Sequence, residues 1–409
     1  MTKSKYLIFG GGMVAGYAAK EMVERGLKPG ELTIVSADDS LPYERPPLSK
    51  SFLAGKDTET GILINGPYWY HDHGIQVVLK TSIESVDLTK KSLRAASGQE
   101  FESDQLLIAT GARARTLNVP GNDLASVFYL RSMDDSRKIR AAAEKAKRAV
   151  VIGGGFIGME VAAVLTQKKI QTTMIFPEER VWKRMFTPEM SAFFERYYAE
   201  RGVEVLAKSN VAGFDGDGAV SGVRLEGGRI VSCDMVIAGV GAAPVTELFT
   251  NSKIGGRDGV EVDEFLETAV PDVYAAGDVA NYPDKIFEKR RRVEHWDNAV
   301  SQGQHWARVA MGDRQPFIHV PYFFSDVFDR SYEFWGDSDG ATQTVVRGDF
   351  KSTSFSVWWL NGERLIAAFA MNRPDEERNA APEWIQSKKA ISAARLGEQN
   401  RPASEAAQG

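Results

Sequence analysis

Cysteine is almost missing from this sequence: Cys233 stands alone among 409 residues. One thiol forms no intramolecular disulfide and no dithiol redox couple, so the expected compartment is the cytoplasm and Cys233, on an apolar stretch, is expected to be a buried, inert thiol. Long hydrophobic runs are also lacking. No stretch approaches the ~18–20 apolar residues that span a bilayer, and a membrane span is not expected. The opening stretch, MTKSKYLIFGGG, passes from lysines directly into glycines without the pattern of a secretory leader. Neither sign of charge dominates: 50 Lys and Arg against 55 Asp and Glu leave −5, without the basic excess of a nucleic-acid binder. Histidine is scarce at five residues, and His71 and His73 around Asp72 are too few for a metal site, so no metal is expected. What is plentiful is glycine, 38 residues, in a chain long enough for two or three domains.

The glycines fall in a repeated pattern. Residues 6–9 (YLIF) are followed by Gly10, Gly11 and Gly12, the helical pattern MVAGYAAKEMVERG, and the strand-like ELTIVSAD ending in an acid. Residues 149–152 (AVVI) are followed by Gly153, Gly154 and Gly155, the helical FIGMEVAAVLTQKK, and QTTMIF with an acid after it. This is a strand–glycine turn–helix–strand unit repeated at a spacing of roughly 140 residues, too long for a solenoid period. The first turn runs Gly10-Gly11-Gly12-Met13-Val14-Ala15, and the second Gly153-Gly154-Gly155-Phe156-Ile157-Gly158. The first glycine of such a turn allows a tight bend, the second lets backbone approach a pyrophosphate, and the small sixth position lets helix and strand pack closely. Asp38, a little over twenty residues past the first glycines, and Glu178, two residues past Phe176, stand where a ribose hydroxyl needs an acceptor. One such motif is weak evidence; two in matched contexts predict two dinucleotide sites.

Other segments complete the plan. FESDQLLIATGA closes on Ala109, Thr110 and Gly111, and GGRIVSCDMVIAGVGAAP repeats that feature with Gly241. GFDGDGAVSGVRLEGG alternates around Gly and Asp and predicts a hairpin. Beyond residue 316 aromatic alternating strands predict an antiparallel domain, with a late helix in PEWIQSKKAISAARL. The expected fold is α/β, with two Rossmann-like dinucleotide-binding domains and a small α+β C-terminal domain. Its expected parts are 1–113 with 242–315, 114–241, 316–398, and a disordered tail at 399–409.

VYAAGD, ending on Gly277 and Asp278, the ATG turn, and LPYERPPLSK at 41–50 resemble the FAD-dependent pyridine nucleotide-disulfide oxidoreductases. The missing second cysteine sets the chain apart from their disulfide-reducing branch. The resemblance implies FAD on the first domain and NADH on the second, with NADPH possible because Arg180, Lys183 and Arg184 follow Glu178. It implies that Asp278 meets the FAD ribityl chain, that Arg45 and Lys50 contact FAD, and that Glu160 pairs with Lys50, making Lys50 and Glu160 the catalytic pair. It places Glu294, His295, Trp296 and Phe324 among the cofactor contacts.

KPGE, FPE, RMFT, RRVEH and PYFFS look like monodehydroascorbate reductases; Trp296 with Asn298-Ala299 and Gln302-Gly303, Ser325-Asp326 and FAMNR look like single-component ferredoxin reductases and apoptosis-inducing-factor-like flavoproteins. Val300 and Phe324 stand where plant monodehydroascorbate reductases carry Arg and Tyr, and a valine donates no hydrogen bonds to an anion. Three roles follow as expectations. One is a monodehydroascorbate-type reductase with a small-molecule radical as acceptor. Another is an NADH–ferredoxin or rubredoxin reductase with a small iron–sulfur partner. The third is a slow NADH-sensing flavoprotein. The run Lys289–Arg292 reads as either a solvated basic stretch or a docking patch for an acidic partner or anionic radical. The sequence sets no oligomeric state.

Overall fold

The computed structural model describes residues 1–256 and 258–407. The chain divides into two compact units, one of residues 1–45, 58–113 and 242–319, the other of 46–57, 114–241 and 320 onward. Residues 46–57 thus belong to the second unit, which also holds both the second glycine repeat and the C-terminal sheet.

In the first unit, parallel strands lie in the order Gln76–Val78, Leu32–Val35, Thr2–Phe9, Glu100–Ile108 and Val273–Ala275. Leu32–Val35 is buried at every position, as a strand covered on both faces must be, and an unbroken apolar run supplies that burial. A hairpin of Ile83–Asp87 and Ser92–Ala95 extends the sheet antiparallel along the early half of Glu100–Ile108. Sequence order reverses between Thr2–Phe9 and Glu100–Ile108. Ligands of open α/β sheets bind at such a switch point, outside the carboxyl ends of the strands.

The second unit repeats the device. Its parallel strands run Glu204–Leu206, Gln171–Ile175, Arg148–Ile152, Met235–Ala238 and Val127–Tyr129. The predicted hairpin forms from Val211–Asp217 and Ala219–Leu225. The C-terminal sheet is antiparallel throughout, in the order Tyr322–Val327, Arg330–Gly336, Arg364–Met371, Ser354–Asn361 and Gln343–Asp349. Cys233 is buried, and burial first, then the charge of Asp234, pushes its thiol up to about 12, which leaves it protonated and inert.

Two C-terminal expectations are corrected. The late helix runs Asp375–Ser387, starting before Pro382 rather than at it. Asp375, Glu376 and Glu377 occupy its first turn, where acids complement the helix dipole. The tail at 399–407 is ordered, with Ala403 and Ala406 fully buried. Arg347, itself buried, holds it by donating to the carbonyls of Leu396 (2.6 Å), Glu398 (3.1 Å) and Arg401 (2.7 Å). Composition suggested disorder because those acceptors are backbone groups, which composition does not register.

Arg347 Nε also donates to Glu377 Oε1 at 2.8 Å, and Arg373 Nη2 and Ser356 Oγ each reach the same carboxylate at 2.6 Å. Burial pushes the Glu377 carboxyl up, but its bonds from Arg373, Ser356 and Arg347 outweigh that and hold it below its ordinary value of 4.5. A depressed carboxyl stabilises the fold above 4.5 and loses that contribution as pH falls through the lowered value. Arg347→Met should leave the Glu377 carboxylate paired with Arg373 and Ser356 but strand the buried carbonyls of the tail, at about 1–3 kcal/mol. It should also expose the tail to protease at neutral pH, as acid does in the parent protein. Thermal melts from neutral to acid pH with limited proteolysis check this; an Arg347→Met tail as resistant as the parent's contradicts it.

Candidate functional site

Both glycine turns sit at the carboxyl ends of central strands. Gly10 has φ +127°, and a Cβ there would stand 2.2 Å from the Ala109 carbonyl oxygen; Gly153 has φ +117°, with the same 2.2 Å approach to the Gly239 oxygen. The two turns are built alike, each pressed against the end of the strand beyond the switch point. The helices they open, Met13–Glu24 and Phe156–Gln167, are capped by Gly12 and Gly155 without a side-chain hydrogen bond, and neither has an acid in its first turn. Helices Met133–Ala143 and Pro188–Ala199 instead carry side-chain caps from Ser132 and Thr187 and acids in the first turn. The two glycine-led helices leave their first amide N–H groups and positive dipole ends for an external anion, as a dinucleotide pyrophosphate requires.

The first unit gathers the residues expected around FAD. Met13, Val14 and Ala15 are buried in the first helical turn. Arg45 Nη2 lies 3.7 Å from where a Gly12 Cβ would stand, which brings the guanidinium to the glycine turn. Thr110 Oγ1 donates to the Val245 carbonyl at 2.9 Å, and the Gly111 carbonyl accepts from Val245 N–H at 2.9 Å, fixing the ATG turn. Gly277 and Asp278 form a single 3-10 turn after Val273–Ala275. Gly277 N–H donates to Gln302 Oε1 at 2.7 Å, while the buried Gln302 Nε2 has no protein partner. A buried amide donor left unmade is costly, and a bound cofactor beside Gly277 is the kind of group that relieves it. Glycine turn, open amides, arginine and spare amide together fit a flavin dinucleotide.

Asp38 is placed differently from expectation. Strand Leu32–Val35 ends three residues earlier, and Asp38 lies in the turn after it, accepting from Ser40 N–H at 3.2 Å and Tyr43 hydroxyl at 2.9 Å. The carboxylate therefore also anchors the segment that leads to Arg45. Trp296 is pinned too, its indole N–H donating to Glu44 Oε2 at 2.6 Å, and Tyr17 hydroxyl donates to the other Glu44 oxygen. Glu44 was missed in the sequence, where it reads as one charge in a loop. His295 caps helix Trp296–Ala310, its Nδ1 accepting from Asp297 N–H at 3.4 Å, and Glu294 pairs with Arg292.

Three side chains of the basic run have partners within this unit. Arg290 donates to the carbonyls of Val262 (2.8 Å) and Asn281 (2.6 Å), Arg291 pairs with Asp284 at 3.3 Å, and Arg292 pairs with Asp258 at 2.8 Å. These arginines bind this unit together, with Lys289 and Arg290 still exposed.

In the second unit Lys50 and Glu160 meet as the resemblance implied. Lys50 Nζ lies 2.8 Å from Glu160 Oε1, with the side chains 14% and 4% exposed. Ser325 Oγ donates to the same oxygen at 2.6 Å, and Ser49 Oγ donates to Oε2. The Phe324 ring lies 5.3 Å from the Lys50 ammonium. Phe156 and Ile157 open the helix after the second glycine turn, and Gly158 packs so closely that a Cβ would stand 2.0 Å from the Gly153 oxygen. Gly241 has φ +99°, and its carbonyl accepts from Arg115 N–H at 2.9 Å, so it closes its turn much as Gly111 closes the first. Glu178 is exposed beyond strand Gln171–Ile175. Its neighbour Glu179 pairs with both Arg180 and Lys183. The partners of Glu160 from Ser49 and Ser325 escaped the sequence reading, being 111 and 165 residues away along the chain.

Among the described residues no helix is long and apolar enough to cross a membrane. Residues 4–303 match the family model for pyridine nucleotide-disulphide oxidoreductases, and residues 322–407 match the reductase C-terminal model. The monodehydroascorbate reductase of Pisum sativum is 38% identical over 413 residues, covering 95% of each chain. A ferredoxin reductase from Rhodopseudomonas palustris superposes with a TM-score of 0.94 at 30% identity, covering 100% of both chains. The reductase in a covalent putidaredoxin reductase–putidaredoxin complex gives 0.93 at 30% identity, over 98% of this chain and 97% of that one. The chain belongs to the pyridine nucleotide-disulphide oxidoreductase family, as an FAD-dependent NAD(P)H oxidoreductase with a reductase C-terminal domain.

Proposed function

We propose that the protein oxidises NADH through bound FAD and passes the electrons singly to monodehydroascorbate radical. The observation that carries this reading is the buried Lys50–Glu160 pair in a chain with two glycine-led nucleotide turns and a single cysteine. The pea relative supports the choice of acceptor. When bound, FAD supplies hydride acceptance and single-electron release, chemistry that no side chain offers. The protein's part is to bind, orient and set charge. Gly10 and Gly12 with the amides of Met13, Val14 and Ala15 hold the FAD pyrophosphate, Arg45 adds positive charge, and Asp38 takes the adenosine ribose. Thr110, between Ala109 and Gly111, Asp278 beside Gly277, and the run Glu294, His295 and Trp296 position the rest of FAD. Gly153, Gly155, Phe156, Ile157 and Gly158 hold NADH, with Gly241 closing that turn. Lys50, fixed by Glu160 and flanked by Phe324, supplies the positive charge that favours an anionic reduced flavin. A cytoplasmic setting is supported by the lone buried thiol.

NADH is the preferred coenzyme on this reading, because the exposed Glu178 accepts from a ribose 2′-hydroxyl and repels a 2′-phosphate. The pairing of Arg180 and Lys183 with Glu179 works in the same direction. Glu178→Gln should raise kcat/KM for NADPH about tenfold, equivalent to ~1.4 kcal/mol, with less change for NADH. Steady-state comparison of the two coenzymes checks this, and an unchanged ratio contradicts it.

A second reading, delivery to a small iron–sulfur protein, is favoured by Val300 and Phe324 and by the likeness in fold to the ferredoxin reductase and the putidaredoxin reductase. Both readings are tested with holoprotein, NADH and monodehydroascorbate radical generated in the cuvette. A saturable rate well above the radical-free control supports the first. A rate no better than with generic dyes, alongside faster turnover on a ferredoxin, supports the second.

A further inference from the structure

Glu160 is a carboxylate at 4% exposure that receives three donors from two segments of the chain, Ser49 and Lys50 being neighbours. Lys50 comes from the segment after the short turn Pro46–Ser49, Ser49 from that turn itself, and Ser325 from strand Tyr322–Val327. Ser325 is fully buried and Ser49 nearly so. A carboxylate only accepts, so both hydroxyls must donate to it, and each is thereby committed in direction. The buried phenols of Tyr198 and Tyr332 both feel the Glu160 charge, and Tyr332 also meets Ser325. Tyr198 hydroxyl donates to the Met159 carbonyl at 2.8 Å, so it leaves Glu160 to the lysine and the serines. A lone Lys–Glu contact leaves the carboxylate free to rotate about its last torsion. With one oxygen held by Ser49 and the other shared by Lys50 and Ser325, that rotation is closed, and the ammonium is held by an acceptor that cannot turn away.

We propose that Ser49 and Ser325 are positioning residues, which fix the Glu160 carboxylate and through it the place of the Lys50 ammonium, and so set how strongly that charge acts on the flavin. The proposal rests on the reading of Lys50 given above. Neither serine is a catalytic residue on this account; each acts through Glu160.

The test uses flavin-loaded full-length protein as parent, Ser325→Ala, Ser49→Ala, Ser325→Thr, Lys50→Met, and the Lys50→Met variant carrying Ser325→Ala as well. Two readouts are the rate of flavin reduction by NADH and the flavin midpoint potential, with flavin content measured throughout. Ser325→Ala should keep its flavin, reduce about tenfold more slowly, and shift to a more negative potential. Ser49→Ala should do the same to a similar or smaller extent, and Ser325→Thr, which keeps the hydroxyl, should recover most of the rate. In the Lys50→Met background Ser325→Ala should produce no further shift of potential, because the group it positions is gone. A purely structural serine would lower the melting temperature without moving the potential. Parental rate and potential in both serine-to-alanine variants, beside a slowed Lys50→Met, overturn the proposal alone. Parental behaviour in Lys50→Met overturns the reading of Lys50 and the proposal with it.

Discussion

Lys50→Met should reduce its bound FAD with NADH about a hundredfold more slowly than the parent while keeping the flavin. The magnitude follows from what a preorganised charge in a site of low water content contributes, on the order of 10²–10³ in rate. The Lys50 side chain is 14% exposed and its ammonium lies 2.8 Å from a carboxylate that is itself buried, so its field is weakly screened. Flavin should stay bound because the turn that begins at Gly10, Arg45 and Asp278 belongs to the first unit, while Lys50 belongs to the second. The substitution also leaves Glu160 buried without its cation, at a cost of about 3–5 kcal/mol. The double variant Lys50→Met with Glu160→Gln should recover much of that stability and none of the rate. Rapid-mixing measurement of oxidised-flavin bleaching, beside thermal melts of both variants, separates the two effects. Bleaching at the parental rate would remove Lys50 from the mechanism.

The second large effect distinguishes the two glycine turns. Gly10→Ala should yield protein without flavin, whereas Gly153→Ala should stay yellow, be bleached by dithionite, and need more than about tenfold higher NADH for half-maximal reduction. Each substitution forces a Cβ to within 2.2 Å of a carbonyl oxygen at a backbone angle, φ +127° or φ +117°, that side chains rarely adopt. Strain of this kind costs about 1–3 kcal/mol before any displacement of the facing strand end. The outcomes differ because the turns belong to different sheets, ending Thr2–Phe9 in one unit and Arg148–Ile152 in the other. Flavin content by absorbance and coenzyme titration check the assignment. Loss of flavin from Gly153→Ala with retention in Gly10→Ala would reverse it.

The parts legible in the sequence are those whose signal is local. A strand, a glycine turn and a helix are contiguous, and each glycine's role depends on neighbours a few residues away, so both nucleotide turns could be read from residues 6–24 and 149–167. Lys50 and Glu160 could not be joined that way; their pairing came from resemblance, and the geometry supplied the distance. Ser49 and Ser325 stand in the stretches that carry the resemblance, but their bonds to Glu160 went unread, because a serine's hydrogen bond across 111 or 165 residues leaves no periodic trace. Arg290, Arg291 and Arg292 left two readings open for the opposite reason. A run of charge looks like a surface, yet carbonyls and acids such as Asp258 and Asp284 absorb it. The ordered tail and the early start of helix Asp375–Ser387 depend on Arg347 and on acids of the first turn, which composition alone does not resolve.

The measurement that bears most directly on this account is anaerobic titration of the flavin-loaded protein with NADH. Equimolar NADH should bleach the oxidised flavin, with NAD⁺ appearing in step. Flavin left oxidised by excess NADH, yet bleached by dithionite, would contradict it.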